Sequence, residues 1–338
     1  MTALARTSTA APPIPAAPLA SIREELAWVE RDLAETIPEG LGLVSEASRR
    51  ILRAGGKRLR PALVLLAARA FAGISRRTVE VAGALEMIHG ASLLHDDVVD
   101  DTRTRRGHVT VSAYWTNKIA IMMGDYLFTR SLLEMSRDDT LKLTPLVSEA
   151  TGRMVMGQLR EIEEQGNVDI LTDDYLYIIQ EKTAALMAVC CRVGAILGKA
   201  SPASVDKMDE YGLCLGMAFQ IADDCLDFWG DEELMGKPVG SDLGERKYTL
   251  PFIHALRTAT LKDRATLVEA VSSAKGRIPR RAMRRILGIM AACGSQDYAL
   301  EMARNYCRRA RKALHEAGPL QGAVDLEGMI DYVVERSH

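Results

Sequence analysis

The stretch Ser92-Leu-Leu-His-Asp-Asp-Val-Val-Asp-Asp-Thr-Arg-Thr-Arg-Arg-Gly107 decides how this chain is read. An apolar run ends in four aspartates, and three arginines follow within six residues. On a helix, Asp96 and Asp100 are i and i+4, so both carboxylates leave one face. Hard oxygen donors placed in this way suit Mg²⁺, which keeps several waters and takes further oxygens from substrate phosphates. Arg105 and Arg106 offer charge to such phosphates. Taken alone, the motif reads equally well as an acidic helix end balanced by a basic loop. It recurs, however, in Phe219-Gln-Ile-Ala-Asp-Asp-Cys-Leu-Asp227, again after an apolar helical run. Gln220, Asp223, Asp224 and Asp227 fall at i, i+3, i+4 and i+7, one helical stripe. Two carboxylate stripes with cations beside them predict a multi-metal diphosphate site.

Composition narrows the class. The chain has 338 residues, 48% hydrophobic and 26% charged, with a formal net charge of −2. Nothing in that balance favours nucleic acid as a partner. Aromatics are few, while Ala, Leu and Met are common, which favours helix over sheet. The six cysteines form no CxxC pair and read as buried free thiols in a reducing, cytoplasmic setting. No apolar run reaches the roughly 18 residues of a membrane span. Residues 1–20, rich in Ala, Pro, Ser and Thr, read as a disordered N-terminal tail.

A first helix is expected over Ser21 to Glu35, with Ser21 as N-cap and Glu24 completing a capping box. A second runs to about Ala54. Gly55-Gly56 is a turn, followed by Lys57, Arg58 and Arg60, then Pro61 at a helix start. The helix of the first motif begins near Arg77, and His89, Ser92, Asp96 and Asp100 share one stripe of it. Long helical stretches then run from Gly107 to about Arg137, from Pro145 to Gln165, from Thr172 through Glu181-Lys-Thr-Ala184, and from Pro202 into the second motif. Gly236-Lys-Pro-Val-Gly-Ser-Asp242 reads as a lid-like segment. The remainder, to His338, alternates helix and turn. With no internal repeat and no linker after residue 20, residues 21–338 read as one all-α domain.

The two aspartate motifs, with Gly55-Gly-Lys-Arg-Leu-Arg-Pro61 upstream, resemble the trans-isoprenyl diphosphate synthases of the polyprenyl synthetase family. The resemblance runs from about residue 20 to the C-terminus. It implies a single-domain bundle of long antiparallel helices around a central cavity. It also implies Mg²⁺-dependent condensation of isopentenyl diphosphate with an allylic diphosphate. Asp96, Asp97, Asp100, Lys182, Asp223, Asp224 and Asp227 would be the catalytic set. About three Mg²⁺ ions are expected per site, with Asp96, Asp100, Asp223 and Asp227 as the metal ligands. By the same resemblance, Lys57, Arg60, His89 and Arg106 bind isopentenyl diphosphate. Arg105, Lys182, Thr183, Gln220, Lys237 and Lys247 bind the allylic diphosphate, and Lys247-Tyr-Thr-Leu-Pro251 fits the family's KxTxP pattern. Gln158 stands where the family often has an acid, with Glu161 one turn later, so that helix is assigned no site residue. Asp125, in the matching Gly124-Asp125, is assigned no catalytic role. A homodimer is the expected assembly, with a heteromer as the alternative.

Product length should depend on the residues below Asp96 on its own helix. At ~1.5 Å per residue, Ser92 lies ~6 Å, Ile88 ~12 Å and Leu85 ~16 Å below it. In the family, large aromatics four or five positions before the first aspartate act as a floor. Here Ala91 and Ser92 are small, and the motif has no two-residue insertion, which favours a long all-trans product. Ile88 and Leu85 are the next candidates for a floor, which would give farnesyl or geranylgeranyl diphosphate. A terpene cyclase would not need Lys57, Arg60 and Arg106. A non-catalytic partner subunit would be expected to have lost aspartates or cations that this chain keeps.

Overall fold

Ser75 starts the helix that carries the first motif. Its backbone is extended, its hydroxyl accepts from the Thr78 N–H, and Thr78 Oγ1 accepts from the Ser75 N–H, a reciprocal cap. The computed structural model describes residues 16–35, 42, 46–47, 58–105, 107–137, 141–231, 239–273 and 276–335. Long helices account for most of them. These are α1 (Arg23–Glu35), α2 (Leu59–Arg69), α3 (Arg76–Val99), α4 (Asn117–Ser136), α5 (Leu143–Glu164) and α6 (Thr172–Ile179). Then come α7 (Ala185–Leu197), α8 (Pro202–Trp229), α9 (Leu250–Thr258), α10 (Leu261–Ser272), α11 (Arg280–Ala292), α12 (Ser295–Glu316) and α13 (Ala323–Glu335). The all-α expectation holds. Among the described residues the one extended pairing is a short hairpin, β1 (Thr104–Arg105) against β2 (His108–Val109). It replaces the start of the helical region expected after the first motif, because Gly107, at φ 77°, makes a tight turn there.

Helix α3 is buried on nearly every side, from Thr78 and Val79 through Leu85 and Ile88 to Leu94. A helix so enclosed sits at the centre of a bundle rather than on its surface. It packs on α4, α2 and α1. Helix α8 is the second spine, opened by Ser201 capping the Ser204 N–H at 3.2 Å and by Pro202. Its upper part, including Tyr211 and Leu215, joins the core shared with α2, α3 and α7. Its lower part, including Ile221 and Phe228, joins a second core with α6, α9, α10, α11 and α12. Each aspartate motif thus ends a long, well-packed helix. Full burial of Leu85 or Ile88 stabilises the fold by about 1.5–3 kcal/mol each.

Three sequence expectations shift. Part of the segment expected as a tail has regular structure: Ala16–Leu19 is helical and Ala20–Ile22 forms a 3₁₀ turn, with Ile22 fully buried. Ser21 is no N-cap; its hydroxyl donates to the Asp325 carboxylate at 2.6 Å and docks the segment on α13. Helix α2 begins at Leu59, two residues before Pro61. The expected second helix and the Gly55-Gly56 turn fall outside the described residues, apart from residues 42, 46 and 47. Five of the six free cysteines are buried, with Cys293 intermediate, and burial pushes the thiols of Cys190 and Cys225 up to about 12. No described helix is long and apolar enough to cross a membrane.

Candidate active site

The first aspartate wall is the C-terminal turn of α3. The Asp96 carboxylate accepts no hydrogen bond and forms no ion pair among the described residues. Burial raises its pKa; Lys182 and Arg105 oppose that, while Asp100 and Glu161 add to it. Asp100, one turn on, accepts a 2.9 Å hydrogen bond from Lys247 Nζ, 147 positions away in the chain. Asp97 faces elsewhere. It is buried, and its carboxylate receives Arg105 Nε at 2.7 Å, so Arg105 fastens the hairpin to the motif. Ser92 Oγ donates to the His89 carbonyl at 2.9 Å. The ring of His95, the residue before Asp96, lies over Gly124, where a Cβ would stand 2.2 Å from Nε2. Asp125 Oδ1 is 3.5 Å from the same nitrogen. The Gly124-Asp125 pair therefore seats the residue next to Asp96.

The second wall is the last two turns of α8. Asp224 is buried, accepting from Tyr175 Oη and from Gln220 Nε2, both at 2.7 Å. Burial, followed by the neighbouring Asp242, pushes its pKa well up; Tyr175 and Gln220 act against that rise. Gln220 Oε1 in turn accepts from Thr183 Oγ1 at 3.0 Å. Both carboxylate oxygens of Asp227, an expected metal ligand, are taken up locally. Ser241 Oγ donates to one at 2.6 Å and the Asp242 N–H to the other at 3.2 Å. Asp223 sits beside them, half-buried.

Between the walls lies a π-helical turn, Gln180–Ala184, which joins α6 to α7 and carries Lys182 and Thr183. Such turns are rare and often mark functional sites. Two glycines make room for it. A Cβ on Gly157 of α5 would lie 2.5 Å from Lys182 N, and one on Gly216 of α8 would lie 2.6 Å from Ala184 Cα. Arg153 pins the turn from α5, with Nε and a terminal nitrogen 2.7 and 2.8 Å from the two oxygens of Glu181. Lys182 Nζ donates to Glu161 Oε2 at 2.6 Å. Glu161, left out of the sequence assignment, therefore belongs to the charge cluster. Tyr175 was also missed as a site residue. Its signal was buried deeper: a tyrosine in an apolar stretch is ordinarily core.

A strap after the second motif closes the other side. The Gly240 N–H donates to the Asp227 carbonyl at 2.7 Å, the Lys247 N–H to the Asp242 carbonyl at 2.8 Å, and the Gly166 N–H to the Arg246 carbonyl at 2.8 Å. Burial lowers the pKa of Lys247, but Glu161, Glu245 and Asp100 outweigh it, and the net shift is upward. Upstream, Arg58 adopts a left-handed backbone conformation and ion-pairs with Glu30 and with the buried Glu86, at 2.9 Å for the latter. It ties the start of α2 to α1 and α3, presenting half-buried Arg60 next to it; half-buried His89 lies three residues beyond Glu86. Lys57, Arg106 and Lys237 lie outside the described residues, as does the lid-like segment before Val239.

The walls are joined through Asp100–Lys247–Asp242–Asp227, while Glu161–Lys182–Thr183–Gln220–Asp224 ties α5 and the π-turn to the second wall. Among the described residues no three carboxylate, imidazole or thiol groups converge to hold a cation unaided. The donors nonetheless fit Mg²⁺: oxygen ligands one turn apart, one of them desolvated without a partner, and lysines placed where phosphate oxygens would complete the coordination. Ala91, Ile88 and Leu85 are buried below Asp96, with Ser92 half-buried.

Comparison with known proteins gives the family. Residues 42–286 match the family model described as polyprenyl synthetase. The chain is 34% identical to a short chain isoprenyl diphosphate synthase of Methanothermobacter thermautotrophicus, over 92% of this chain and 94% of that one. It is 33% identical to the octaprenyl diphosphate synthase of Escherichia coli, over 93% and 96%. A polyprenyl synthase from Caulobacter crescentus, solved in complex with calcium and isoprenyl diphosphate, superimposes with a TM-score of 0.88 at 29% identity, covering 98% of this chain and 100% of that one. With a family match over most of its length and near full-length relatives above 30% identity, the chain belongs to the polyprenyl synthetase family and is a prenyltransferase.

Proposed function

We propose that the protein condenses an allylic diphosphate with isopentenyl diphosphate, releasing pyrophosphate and building a long-chain all-trans polyprenyl diphosphate. The observation that carries the reading is Asp96, a desolvated carboxylate without a partner, set between Asp100, Glu161 and Lys182. Asp96 and Asp100 on one wall and Asp223 on the other would hold divalent metal, with about three ions as the expected number. Bound Mg²⁺ would supply charge that stabilises the leaving pyrophosphate. Lys182, Lys247 and Arg105 add to that charge, and Thr183 and Gln220 orient the same diphosphate. Asp97, Asp224 and Asp227 act as anchors. Arg60 and His89, with Lys57 and Arg106, hold isopentenyl diphosphate so that its double bond faces the allylic carbon. The departing pyrophosphate takes the proton.

Small side chains at Ala91 and Ser92 support a long product. Relatives of nearly equal identity make short and octaprenyl products, so identity does not decide the length. The test is sizing of dephosphorylated products from labelled isopentenyl diphosphate with Mg²⁺ and each of three allylic primers. A stop at fifteen or twenty carbons moves the floor to Ile88 or Leu85. Ala91→Phe or Ser92→Phe should shorten the product; an unchanged distribution refutes this route for the tail. Asp96→Ala and Asp223→Ala should lower turnover by several orders of magnitude while the fold survives. Near-normal kinetics in either would overturn the assignment.

The working form is a cytoplasmic homodimer in this reading. Helices α4 and α5 expose Ile121, Met122, Leu133, Val155, Met156 and Leu159, and a second copy covers that face. Light scattering decides it; activity only on adding a second gene product would favour a heteromer.

A further inference from the structure

Between Glu269 and Asp297 the chain carries five arginines and one lysine and no acid. The arginines are Arg277, just before α11, and Arg280, Arg281, Arg284 and Arg285 on it, all exposed. At about 100° per residue they span an arc of roughly 140°. The buried Met283, Ile286 and Met290 lie on the opposite arc, in the core shared with α9, α10 and α12. The outer arc continues through the exposed Gly288, Ala291 and Ala292, a shallow surface without acids. Among the described residues Arg277, Arg280, Arg281 and Arg284 have no carboxylate within ion-pair reach, and Arg285 bonds only Thr266 Oγ1, at 3.2 Å. The next helix behaves differently. On α12, Arg304 and Arg308 pair with Glu301, and Arg311 pairs with Asp331. An unpaired cationic face on a chain of net charge −2 is therefore a local feature of α11, not a consequence of overall composition.

We propose that this face docks the enzyme on an anionic phospholipid surface. Its shape suits a plane. The inner side of α11 is held in the core, so only its outer arc is presented, and residues 270–296 contain no aromatic side chain for base stacking. Helix α10, which packs on α11, begins with Leu261, 90% exposed, beside Lys262, a further exposed apolar side chain on the neighbouring helix. The choice of a lipid partner rests on the long-chain reading, because a polyprenyl tail leaves the protein for a bilayer more readily than for water. Basic clusters on an amphipathic helix attract anionic leaflets, each residue changing the partition coefficient about fivefold.

The experiment needs no substrate, so its failure is distinct from failure of the product-length assay. Purified protein is sedimented with phosphatidylcholine vesicles, with or without phosphatidylglycerol, at low and high salt. The variant joins Arg280→Gln, Arg281→Gln, Arg284→Gln and Arg285→Gln; its turnover with a short primer in vesicle-free buffer should match the parent. Binding that requires phosphatidylglycerol, weakens with salt and falls several hundredfold in the variant supports the proposal. Equal binding to both vesicle types, undiminished binding of the variant, or displacement from vesicles by a lower concentration of duplex DNA overturns it.

Discussion

Gly157→Ala tests the π-turn most directly. The added Cβ would lie 2.5 Å from Lys182 N and 3.0 Å from Lys182 Cα and Glu181 Cβ, and ordinary contact begins at 3.4 Å. The nearest pair must therefore separate by 3.4 − 2.5, about 0.9 Å. The obstacle is backbone, so a rotamer change cannot relieve it. Lys182 is 2.6 Å from Glu161, and Arg153 grips Glu181 on the other side, so the displacement falls on Lys182 Nζ. A misplacement near 1 Å costs on the order of 10²-fold in rate. Overpacking costs about 1–3 kcal/mol, against which alanine's helix propensity returns about 1 kcal/mol. We expect turnover to fall about a hundredfold, with a melting temperature only a few degrees lower. Gly152→Ala is the control: it lies on the same helix, five residues earlier, with nothing within 4 Å of its added Cβ. It should keep full turnover and melt at or above the parent. Steady-state incorporation of labelled isopentenyl diphosphate and thermal melts decide the matter. If Gly157→Ala stays within threefold of Gly152→Ala in turnover, the glycine does not position Lys182.

Tyr175→Phe removes the 2.7 Å donor to buried Asp224 and leaves that oxygen unsatisfied, a cost of about 1–3 kcal/mol. It should raise the Mg²⁺ concentration for half-maximal rate while the KM for isopentenyl diphosphate holds; an unchanged metal titration would sink the idea. Asp96→Asn should stabilise the metal-free protein. Because burial raises the folded pKa above 3.8, the folded state binds more protons between that value and its own, and stability falls as pH rises through the window. The variant should therefore melt higher than the parent at pH 7 in chelator and equally at about pH 3; parallel curves would contradict the desolvation of Asp96. Arg58→Ala should lower unfolding free energy by about 3–5 kcal/mol in denaturant titrations, because it strands buried Glu86. A loss below 1 kcal/mol would mean Glu86 finds water.

Much of this site was legible because charge has to be arranged by spacing. Asp96 and Asp100 share a face by helical geometry alone, and the second motif repeats the interval. Lys182 was assigned by resemblance alone, and the structure places it against Glu161. Other features depend on tertiary partners that a linear pattern does not display. Glu161 looked like one more acid on a polar helix, since its role comes from Lys182, twenty-one positions on. The π-turn has no signature in Gln180–Ala184; it is defined by what Gly157 and Gly216 leave open. Ser21 looked like a cap because its local pattern fits one. Docking on Asp325 won instead, a contact 304 positions distant.

Two motifs of identical spacing are used in parallel ways once their partners are known. In each, the second aspartate turns from the shared face, as a residue 100° round the helix must. Asp97 takes Arg105, and Asp224 takes Tyr175 and Gln220. In each, the last aspartate grips the strap that follows the second motif. Asp227 holds its start through Ser241 and Asp242, and Asp100 holds its end through Lys247. Asp96, the first aspartate of its motif, has no such partner among the described residues. Lys247 stands within reach of Asp100, Glu161 and Glu245. Without ligand it neutralises Asp100. A cation held by Asp100 would leave the ammonium to the diphosphate of the proposed reaction, with Glu161 and Glu245 at 3.9 and 3.0 Å beside it. In the proposed reaction, metal and Lys247 would therefore compete for a single carboxylate. The first motif is divided accordingly: Asp97 holds the hairpin and Asp100 the strap, while Asp96 keeps a carboxylate without a partner among the described residues.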